Sequence, residues 1–220
     1  SWERLAELVA MENRIELIQY IDTLSASETA RAISRLSEEA RCHLFSLLTP
    51  EDAAEVIEDI PEAQAADLVE VMPAKQAAAI MEELDSDHLA DVLGGMDGYA
   101  SRAILAEMNR EEAQEARNLL AYAQDCAGGL MISEFLAYRG DNSIQNVLDD
   151  MQAKREEYAN YHVQYFYVLD QLGKLCGVLR IHDLLFPARK TSLSKIMIAS
   201  PLSVSDKASL AELEEFFEEH

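Results

Sequence analysis

The stretch that decides the fold runs from residue 60 to residue 97 and reads "IPEAQAADLVEVMPAKQAAAIMEELDSDHLADVLGGMD". An apolar residue followed by proline or aspartate recurs in it every twelve residues, at Ile60, Met72, Leu84 and Met96. Because proline and aspartate are favoured where helices begin, each unit is expected to start a new short helix. A fixed period of this kind indicates an internal structural repeat.

The same spacing extends towards both ends of the chain. Further anchors stand at Leu24, Leu36, Leu48 and Met108, each followed by serine, threonine or asparagine. Eight and nine residues after the anchors come pairs of large apolar residues: Leu44/Phe45, Val56/Ile57, Leu68/Val69, Ile80/Met81, Val92/Leu93 and Ile104/Leu105.

These anchors and pairs predict one continuous core. Short isolated helices are marginal in water, so each unit must bury its apolar face on its neighbours, as in a helical solenoid. The sequence therefore predicts a superhelix over residues 13–122, preceded by a helix that carries Leu5, Leu8 and Val9. Together they form an acidic helical domain over residues 1–122.

After residue 122 the pattern changes. A glycine-containing joint over residues 123–130 precedes segments that alternate between strand and helix patterns. Their order is strand, helix, strand, strand and short helix: "ISEFLAY" (132–138), "SIQNVLDDMQAKREEY" (143–158), "QYFYVLD" (164–170), "LCGVLR" (175–180) and "IHDLLF" (181–186). From Ser194 the pattern restarts, and at His220 it stops before a second strand pair, so the second copy is expected to be incomplete. The predicted fold class is α + α/β.

Charge and cysteine usage exclude several classes of function. The formal net charge is −23, and a surface poor in clustered lysine and arginine does not favour nucleic acid as a partner. Three cysteines without a CxxC pair favour neither a disulfide framework nor a structural zinc site. The sequence also lacks an apolar run long enough for a transmembrane helix.

Five blocks carry a resemblance to a known family: "LTPEDAAEVIEDI" (48–60), "MEELDSDHLADVL" (81–93), "AGGLM" (127–131), "YFYVLDQLGKLCGVLRIHDLL" (165–185) and "LSKIM" (193–197). In this order they resemble the cytosolic region of MgtE-type magnesium transporters, in which an acidic helical N domain precedes a tandem of CBS domains. The resemblance implies an N domain over residues 1–122, a first CBS domain over 131–192 and the start of a second over 193–220. The helical repeats also resemble those of flagellar motor switch proteins, so the fold alone leaves the function open.

The same resemblance implies partners and a location. A homodimer through the CBS domains and a transmembrane pore domain in the same longer chain are expected. The module would then lie at the cytoplasmic face of the cell membrane.

Acidic residues are concentrated on the repeats, with eighteen acids against three bases between Glu51 and Glu115. Asp87 and Asp91 stand four residues apart, which places two like charges on one helical face about 5 to 6 Å apart. Their repulsion is roughly 3 kcal/mol at an effective dielectric near 20, and under about 1 kcal/mol if both stay hydrated. A hard dication with oxygen ligands, Mg²⁺ above all, would relieve this repulsion. The alternative is a solvated helix face.

Position in the repeat extends this hypothesis to Glu55, since Glu55 and Asp91 both lie seven residues after an anchor. By resemblance, Glu55, Asp87 and Asp91 match acidic positions that bind magnesium in the family's N domain, and Gly128 matches a backbone position nearby. His88 stands where the family more often has a second aspartate, which would weaken the site or admit a softer metal. We expect His88 to be an exposed partner of Asp87 or Asp91 rather than a zinc ligand.

Two other classes of function are an enzyme and a sensor of adenine nucleotides. The sequence presents neither a nucleophile with its base nor a P-loop, so the chain is predicted not to be an enzyme. CBS domains that hold adenosine phosphates commonly read Gly, apolar, Ser or Thr, two residues, Asp; here Gly177 and Asp183 stand in place, with Arg180 instead of the hydroxyl residue. Asp183 either accepts ribose hydroxyls of ATP or caps the following helix.

The function predicted first is therefore that of a Mg²⁺-sensing regulatory module. Mg²⁺ bound to acids at the interface of the N domain and the CBS domain would favour a closed arrangement of the transporter, and its loss would release the gate. The alternatives left open are a CBS module that senses adenine nucleotides and a non-enzymatic scaffold for protein interactions.

Overall fold

A computed structural model describes residues 1–155, 158, 161 and 163–219. The chain divides into two compact units, Ser1–Met131 and Ile132–His220. The finer division into a joint over 123–130 and CBS segments over 131–192 and 193–220 remains a prediction.

The first unit is helical, as predicted. Its helices are α1 (Trp2–Ala10), α2 (Arg14–Ile21), α3 (Ala26–Ser34), α4 (Glu38–Leu47), α5 (Pro50–Glu58), α6 (Glu62–Glu70), α7 (Ala74–Met81), α8 (Ser86–Gly95), α9 (Gly98–Glu107) and α10 (Arg110–Leu119). A short 3₁₀ turn follows at Ala127–Gly129.

Local hydrogen bonds explain why helices begin where the repeat predicts. Ser25 and Glu28 form a capping box at α3, and the Ser37, Thr49 and Asp97 side chains accept backbone N–H bonds at the starts of α4, α5 and α9. Asp85 holds the corresponding position before α8, but its side chain makes no capping hydrogen bond. The Asp85 side chain therefore does not cap α8.

The cap of α10 allows a direct test. The side-chain oxygen of Asn109 accepts hydrogen bonds from the N–H groups of Glu111 (2.9 Å) and Glu112 (3.3 Å). We expect Asn109→Ala to lower the free energy of unfolding by about 1 kcal/mol, because it leaves these groups without their partner. Asn118→Ala, the same change at an exposed position near the end of α10, should change stability by less than about 0.5 kcal/mol in urea denaturation. Equal effects would contradict the capping role.

Most of the repeat residues form one core, as their spacing predicts, but the anchor Leu48 is only partly buried against it and the anchor Leu24 is not part of it. The six apolar pairs and the anchors Leu36, Ile60, Met72, Leu84, Met96 and Met108 all belong to one buried cluster. Helices two apart in the chain pack on each other, so α5, α7 and α9 lie in contact, as do α6, α8 and α10. From α5 to α10 the unit is thus built from two interleaved sets of helices, whereas α1 packs on α2, α3 and α4.

The second unit contains a four-stranded sheet in the order β1 (Leu136–Arg139), β2 (Tyr165–Leu169), β3 (Leu175–Arg180) and β4 (Ile198–Ala199). β1 pairs with β2 in parallel, whereas the other two pairs are antiparallel. The remaining helices are α11 (Ile144–Ala153) and α12 (Leu210–Glu219), with 3₁₀ turns at Ile181–Leu184 and Leu193–Lys195. Its core contains the fully buried Phe166, Val168 and Leu179.

Several predicted boundaries in this unit were wrong. The strand predicted over 132–138 begins only at Leu136, the helix predicted over 143–158 ends at Ala153, and the helix predicted over 181–186 is a 3₁₀ turn. Residues 156 and 157 of the predicted helix lie outside the described residues. None of the described helices combines the length and the hydrophobicity that a membrane span requires.

Candidate cation site

One cavity of about 230 Å³ in the first unit brings together three of the predicted site residues, Asp87, Asp91 and Gly128. One wall comes from α8 and the other from the chain that follows α10. The remaining lining residues are Ala90, Gly94, Leu119, Leu120, Tyr122, Gln124, Gly129 and Met131.

The amphipathic pattern of α8 directs both aspartates to this cavity. Leu89, Val92 and Leu93 are buried in the core of the unit. Asp87, Ala90, Asp91 and Gly94 recur at spacings of three and four residues, which places them together on another face of the helix. Small residues at two of these positions leave room beside the two carboxylates.

The charges around Asp91 make its ionised form unfavourable. Burial raises the pKa of Asp91, the carboxylates of Glu62 and Asp87 raise it further, and His88 opposes them. The Asp87 carboxylate accepts a hydrogen bond of 2.8 Å from the N–H of His88. At a pH above the ordinary pKa range of aspartate, ionisation of Asp91 lowers the free energy of unfolding. A cation bound at this position would offset that loss.

His88 differs from the prediction in one respect. The ring is half-buried rather than exposed, and its Nδ1 atom is buried without a hydrogen-bond partner among the described residues. Its charge opposes the raised pKa values of both Asp91 and Glu58. The predicted partnership with Asp91 is therefore present as an electrostatic interaction, and it extends to α5.

The far wall of the cavity depends on two glycines. A Cβ atom on Gly128 would lie 2.3 Å from the Tyr122 ring, and one on Gly129 would lie 2.4 Å from the carbonyl oxygen of Ala123. A Cβ on Gly94, in contrast, would lie 3.6 Å from Leu120, which is ordinary contact.

These contacts predict opposite outcomes for two alanine substitutions. Gly128→Ala should lower the free energy of unfolding by about 1 to 3 kcal/mol, because overpacking forces the Tyr122 ring or the backbone to move. Gly94→Ala should raise it by up to about 1 kcal/mol, because alanine favours the helix and has room. Thermal melts of both variants in chelator check this. A destabilised Gly94→Ala, or an unaffected Gly128→Ala, would show that the wall is not packed as described.

The donors in the cavity fit Mg²⁺ rather than a softer metal. Its polar lining residues are Asp87, Asp91, Tyr122 and Gln124, and the lining includes neither lysine, arginine, histidine nor cysteine. Among the described residues, no three side chains of His, Cys, Asp or Glu come together as a metal cluster. Mg²⁺ commonly keeps several waters and binds through one or two carboxylates, so this donor set suits it.

The structure places Glu55 elsewhere. Glu55 lines a separate cavity of about 130 Å³, together with Asp22, Asp52 and Asp59. There the Thr49 hydroxyl and Arg14, which pairs with Asp52 at 2.8 Å, lower the pKa of Asp52. A role for Glu55 as a metal ligand remains a prediction.

Comparisons with known proteins bear on the identity of the chain. Residues 24–125 match the family described as the MgtE intracellular N domain. The chain is 34% identical over 83 residues to the magnesium transporter MgtE of Thermus thermophilus, a match to 38% of this chain and 18% of that protein. It is also 28% identical over 94 residues to the magnesium transporter MgtE of Enterococcus faecalis. That match covers 43% of this chain and 20% of that protein. The matched stretch is thus about a fifth of each relative's length.

Solved structures extend the likeness over the whole chain. The crystal structure of the cytosolic domain of the Mg²⁺ channel MgtE in complex with ATP is 25% identical, with a TM-score of 0.82, and the match covers 100% of this chain and 89% of that one. The crystal structure of the soluble part of a magnesium transporter, at 23% identity, shows the same fold, with a TM-score of 0.80 and coverage of 99% and 85%.

Residues 24–125 thus belong to the MgtE intracellular N domain family, and the chain as a whole has the fold of the cytosolic domain of the Mg²⁺ channel MgtE. This confirms the predicted resemblance to the cytosolic region of MgtE-type magnesium transporters. The family is non-enzymatic, which also confirms the prediction that the chain is not an enzyme.

In the second unit, Asp183 is held by its neighbours. Its carboxylate accepts a 3.0 Å hydrogen bond from the N–H of Arg180 and pairs with the Arg180 guanidinium at 3.2 Å and with His182 at 3.0 Å. The Arg180 side chain lowers the pKa of Asp183. Arg180 is the N-cap residue of the 3₁₀ turn, and Asp183 takes part in the cap from the third position of the turn, because its carboxylate accepts the N–H of Arg180. A role for Asp183 in binding ribose remains a prediction.

A larger cavity lies in the CBS-like unit. It measures about 540 Å³, and its lining is mostly apolar and aromatic, including Phe135, Tyr165 and Tyr167. The edge of Phe135 packs against Tyr167, with ring centroids 5.8 Å apart. Asp183 is not among the residues that line this cavity.

Reasoning from the sequence missed Tyr122 and Gln124 in the cation cavity. The signal that points to them is the glycine pair of "AGGL", because adjacent glycines often mark a close approach of other atoms to the backbone.

Proposed function

We propose that this chain is the Mg²⁺-sensing regulatory module of an MgtE-type magnesium transporter. The observation that carries the proposal is the convergence of Asp87, Asp91 and Gly128 on one cavity that has no basic residue in its lining. The pKa of Asp91, which is raised first by burial and then by Glu62 and Asp87, supports it, since a bound cation would favour the ionised carboxylate. The names of the relatives, magnesium transporters of two bacteria, support the choice of cation.

In this proposal Asp87 and Asp91 hold Mg²⁺ with retained waters, and the backbone at Gly128 lies beside it. The cation supplies positive charge between groups that otherwise repel one another. The α8 helix and the segment after α10 are therefore drawn together when the site is filled, whereas repulsion among Asp87, Asp91 and Glu62 loosens this contact when it is empty.

Regulation follows if the two states of this contact differ in their affinity for Mg²⁺. The residues of the joint, 123–130, directly follow α10 and its flanking turn, so a change in this wall reaches the chain that leads to the CBS region. A ligand that prefers one state shifts the population towards it. We propose that the filled state favours a closed pore and that the module acts as a homodimer at the cytoplasmic face of the membrane.

Calorimetric titration of the chain with MgCl₂, after treatment with chelator, tests the proposal. We expect a saturable heat and a rise in melting temperature on adding Mg²⁺. Small-angle scattering should show a more compact particle in millimolar MgCl₂ than in chelator. Superimposable scattering profiles without binding heat would overturn the proposal.

A second candidate function is adenine-nucleotide sensing by the CBS-like unit. It is favoured by the aromatic cavity of about 540 Å³ and by the ATP complex of the MgtE relative. The test is a melt with ATP in Mg²⁺-free buffer, in which nucleotide sensing predicts stabilisation and the proposed function alone predicts none. If neither Mg²⁺ nor ATP stabilises the chain, a scaffold for protein interactions becomes the better hypothesis.

A further inference from the structure

The aromatic ring of Tyr122 lies directly on Gly128. The position that a Cβ on Gly128 would take is 2.3 Å from Cδ1, 2.5 Å from Cγ and 2.6 Å from Cε1 of this ring. Real Cβ atoms do not approach carbon atoms so closely, so the ring occupies space that only glycine leaves free. Both residues also line the cavity that holds Asp87 and Asp91.

Tyr122 is in turn fixed to the end of α10. Its N–H donates a 3.0 Å hydrogen bond to the carbonyl oxygen of Leu119, the last residue of that helix. The N–H of Cys126 bonds to the carbonyl of Ala123 at 3.3 Å, and the N–H of Gly129 bonds to the carbonyl of Cys126 at 3.0 Å. The ring and the turn at Ala127–Gly129 therefore form one packed element whose place is set by α10.

The α10 helix also packs on α8, which carries the two aspartates. The path from Asp91 to Gly128 thus runs through α8, α10, Tyr122 and the turn, and each step is a packed contact. At the last of these contacts, the atoms nearest to a Cβ on Gly128 all belong to the Tyr122 ring. Removing the ring would leave an unfilled space beside Gly128. The turn would then lose the packing contact that holds it in place.

We propose that Tyr122 is the positioning residue of the candidate Mg²⁺ site: its ring, packed on the Cβ-free face of Gly128, fixes the Ala127–Gly129 turn opposite Asp87 and Asp91. This inference rests on the proposed function of the same cavity. Outer residues that orient metal ligands commonly change metal affinity by about 10- to 100-fold when they are replaced.

Cation selectivity separates positioning from general stability. Mg²⁺ requires nearly ideal octahedral geometry at short distances, whereas Ca²⁺ accepts longer and more flexible coordination. A loosened site therefore loses Mg²⁺ affinity while it keeps more of its Ca²⁺ affinity. A purely structural role for Tyr122 would lower both affinities together, or neither.

The experiment compares Tyr122→Leu and Tyr122→Ala with wild type in calorimetric titrations with MgCl₂ and with CaCl₂. We expect Tyr122→Ala to weaken Mg²⁺ binding by about tenfold or more, with a smaller change for Ca²⁺. Tyr99→Ala, the same substitution at a side chain that is 75% exposed, should change neither affinity.

Thermal melts in chelator show whether each variant is folded, and Tyr122→Leu serves if Tyr122→Ala is not. A folded Leu or Ala variant with unchanged Mg²⁺ affinity, or with an unchanged ratio of Mg²⁺ to Ca²⁺ affinity, would overturn the positioning role. Absence of Mg²⁺ binding in wild type would instead overturn the proposed function itself.

Discussion

Replacing both Asp87 and Asp91 by asparagine should abolish the stabilisation of this chain by Mg²⁺. A ligand that binds only the folded state adds about 2.7 kcal/mol to the free energy of unfolding when its concentration is 100 times its Kd. The double variant keeps the shape of both side chains but removes the two carboxylates of the cavity, so it should gain almost none of this. Urea denaturation with and without MgCl₂ measures the difference.

In chelator the double variant should be more stable than wild type. The folded-state pKa of Asp91 is raised, so the stability that its protonated form contributes is present below the ordinary aspartate range and is lost as the pH rises through the raised value. Asparagine does not titrate, so the advantage of the variant should be absent at low pH and should appear as the pH approaches neutrality. Melting temperatures of both proteins across this pH range show which of the two is more stable.

A charge-matched variant provides the control. Glu111→Gln with Glu115→Gln removes the same two charges from exposed positions one turn apart on α10. This control should leave the Mg²⁺-dependent stabilisation within about 0.5 kcal/mol of wild type. If it removes as much of the Mg²⁺ effect as the aspartate variant does, the cation acts as a diffuse counter-ion and the cavity is not its site.

The helical half of the fold was predictable because its signals are local. A cap residue such as Ser37 or Thr49 fixes where a helix begins through hydrogen bonds within one turn, and the apolar pairs repeat in phase with it. The ends of the strands could not be predicted from local signals. β1 extends only over the residues that pair with β2, from Leu136 opposite Phe166 to Arg139 opposite Leu169, and pairing with a distant segment cannot be read from alternation alone.

The residues of the site were likewise predictable only where local helical geometry brings them together. Asp87 and Asp91 share a face because of helical geometry, whereas Gly128 was added by family resemblance and Tyr122 was missed, since its contact with Gly128 lies in a non-periodic segment. Equal position in the repeat did not bring Glu55 to the cavity of Asp91. Helices pack with their second neighbours, so α5 and α8, three units apart, belong to different sets.

The two cores should respond separately to the loss of an aromatic ring. Phe45 is 1% exposed in the core of the first unit, and Phe166 is 0% exposed in the core of the second. Replacement of either by alanine should lower the free energy of unfolding of its own unit by about 3 to 5 kcal/mol, from lost burial and the cavity left behind.

The single tryptophan makes this separation measurable. Trp2 packs against the core that contains Phe45, so its fluorescence reports on the first unit. Phe45→Ala should move the tryptophan transition to much lower urea, whereas Phe166→Ala should move only the part of the far-ultraviolet circular dichroism change that comes from the second unit. Phe217→Ala, at a side chain that is 75% exposed, should move neither. An equal shift of the tryptophan transition by Phe166→Ala would mean that both units unfold as one cooperative body, and a Mg²⁺ signal generated beside α8 would then reach the CBS region through global stability rather than through the joint.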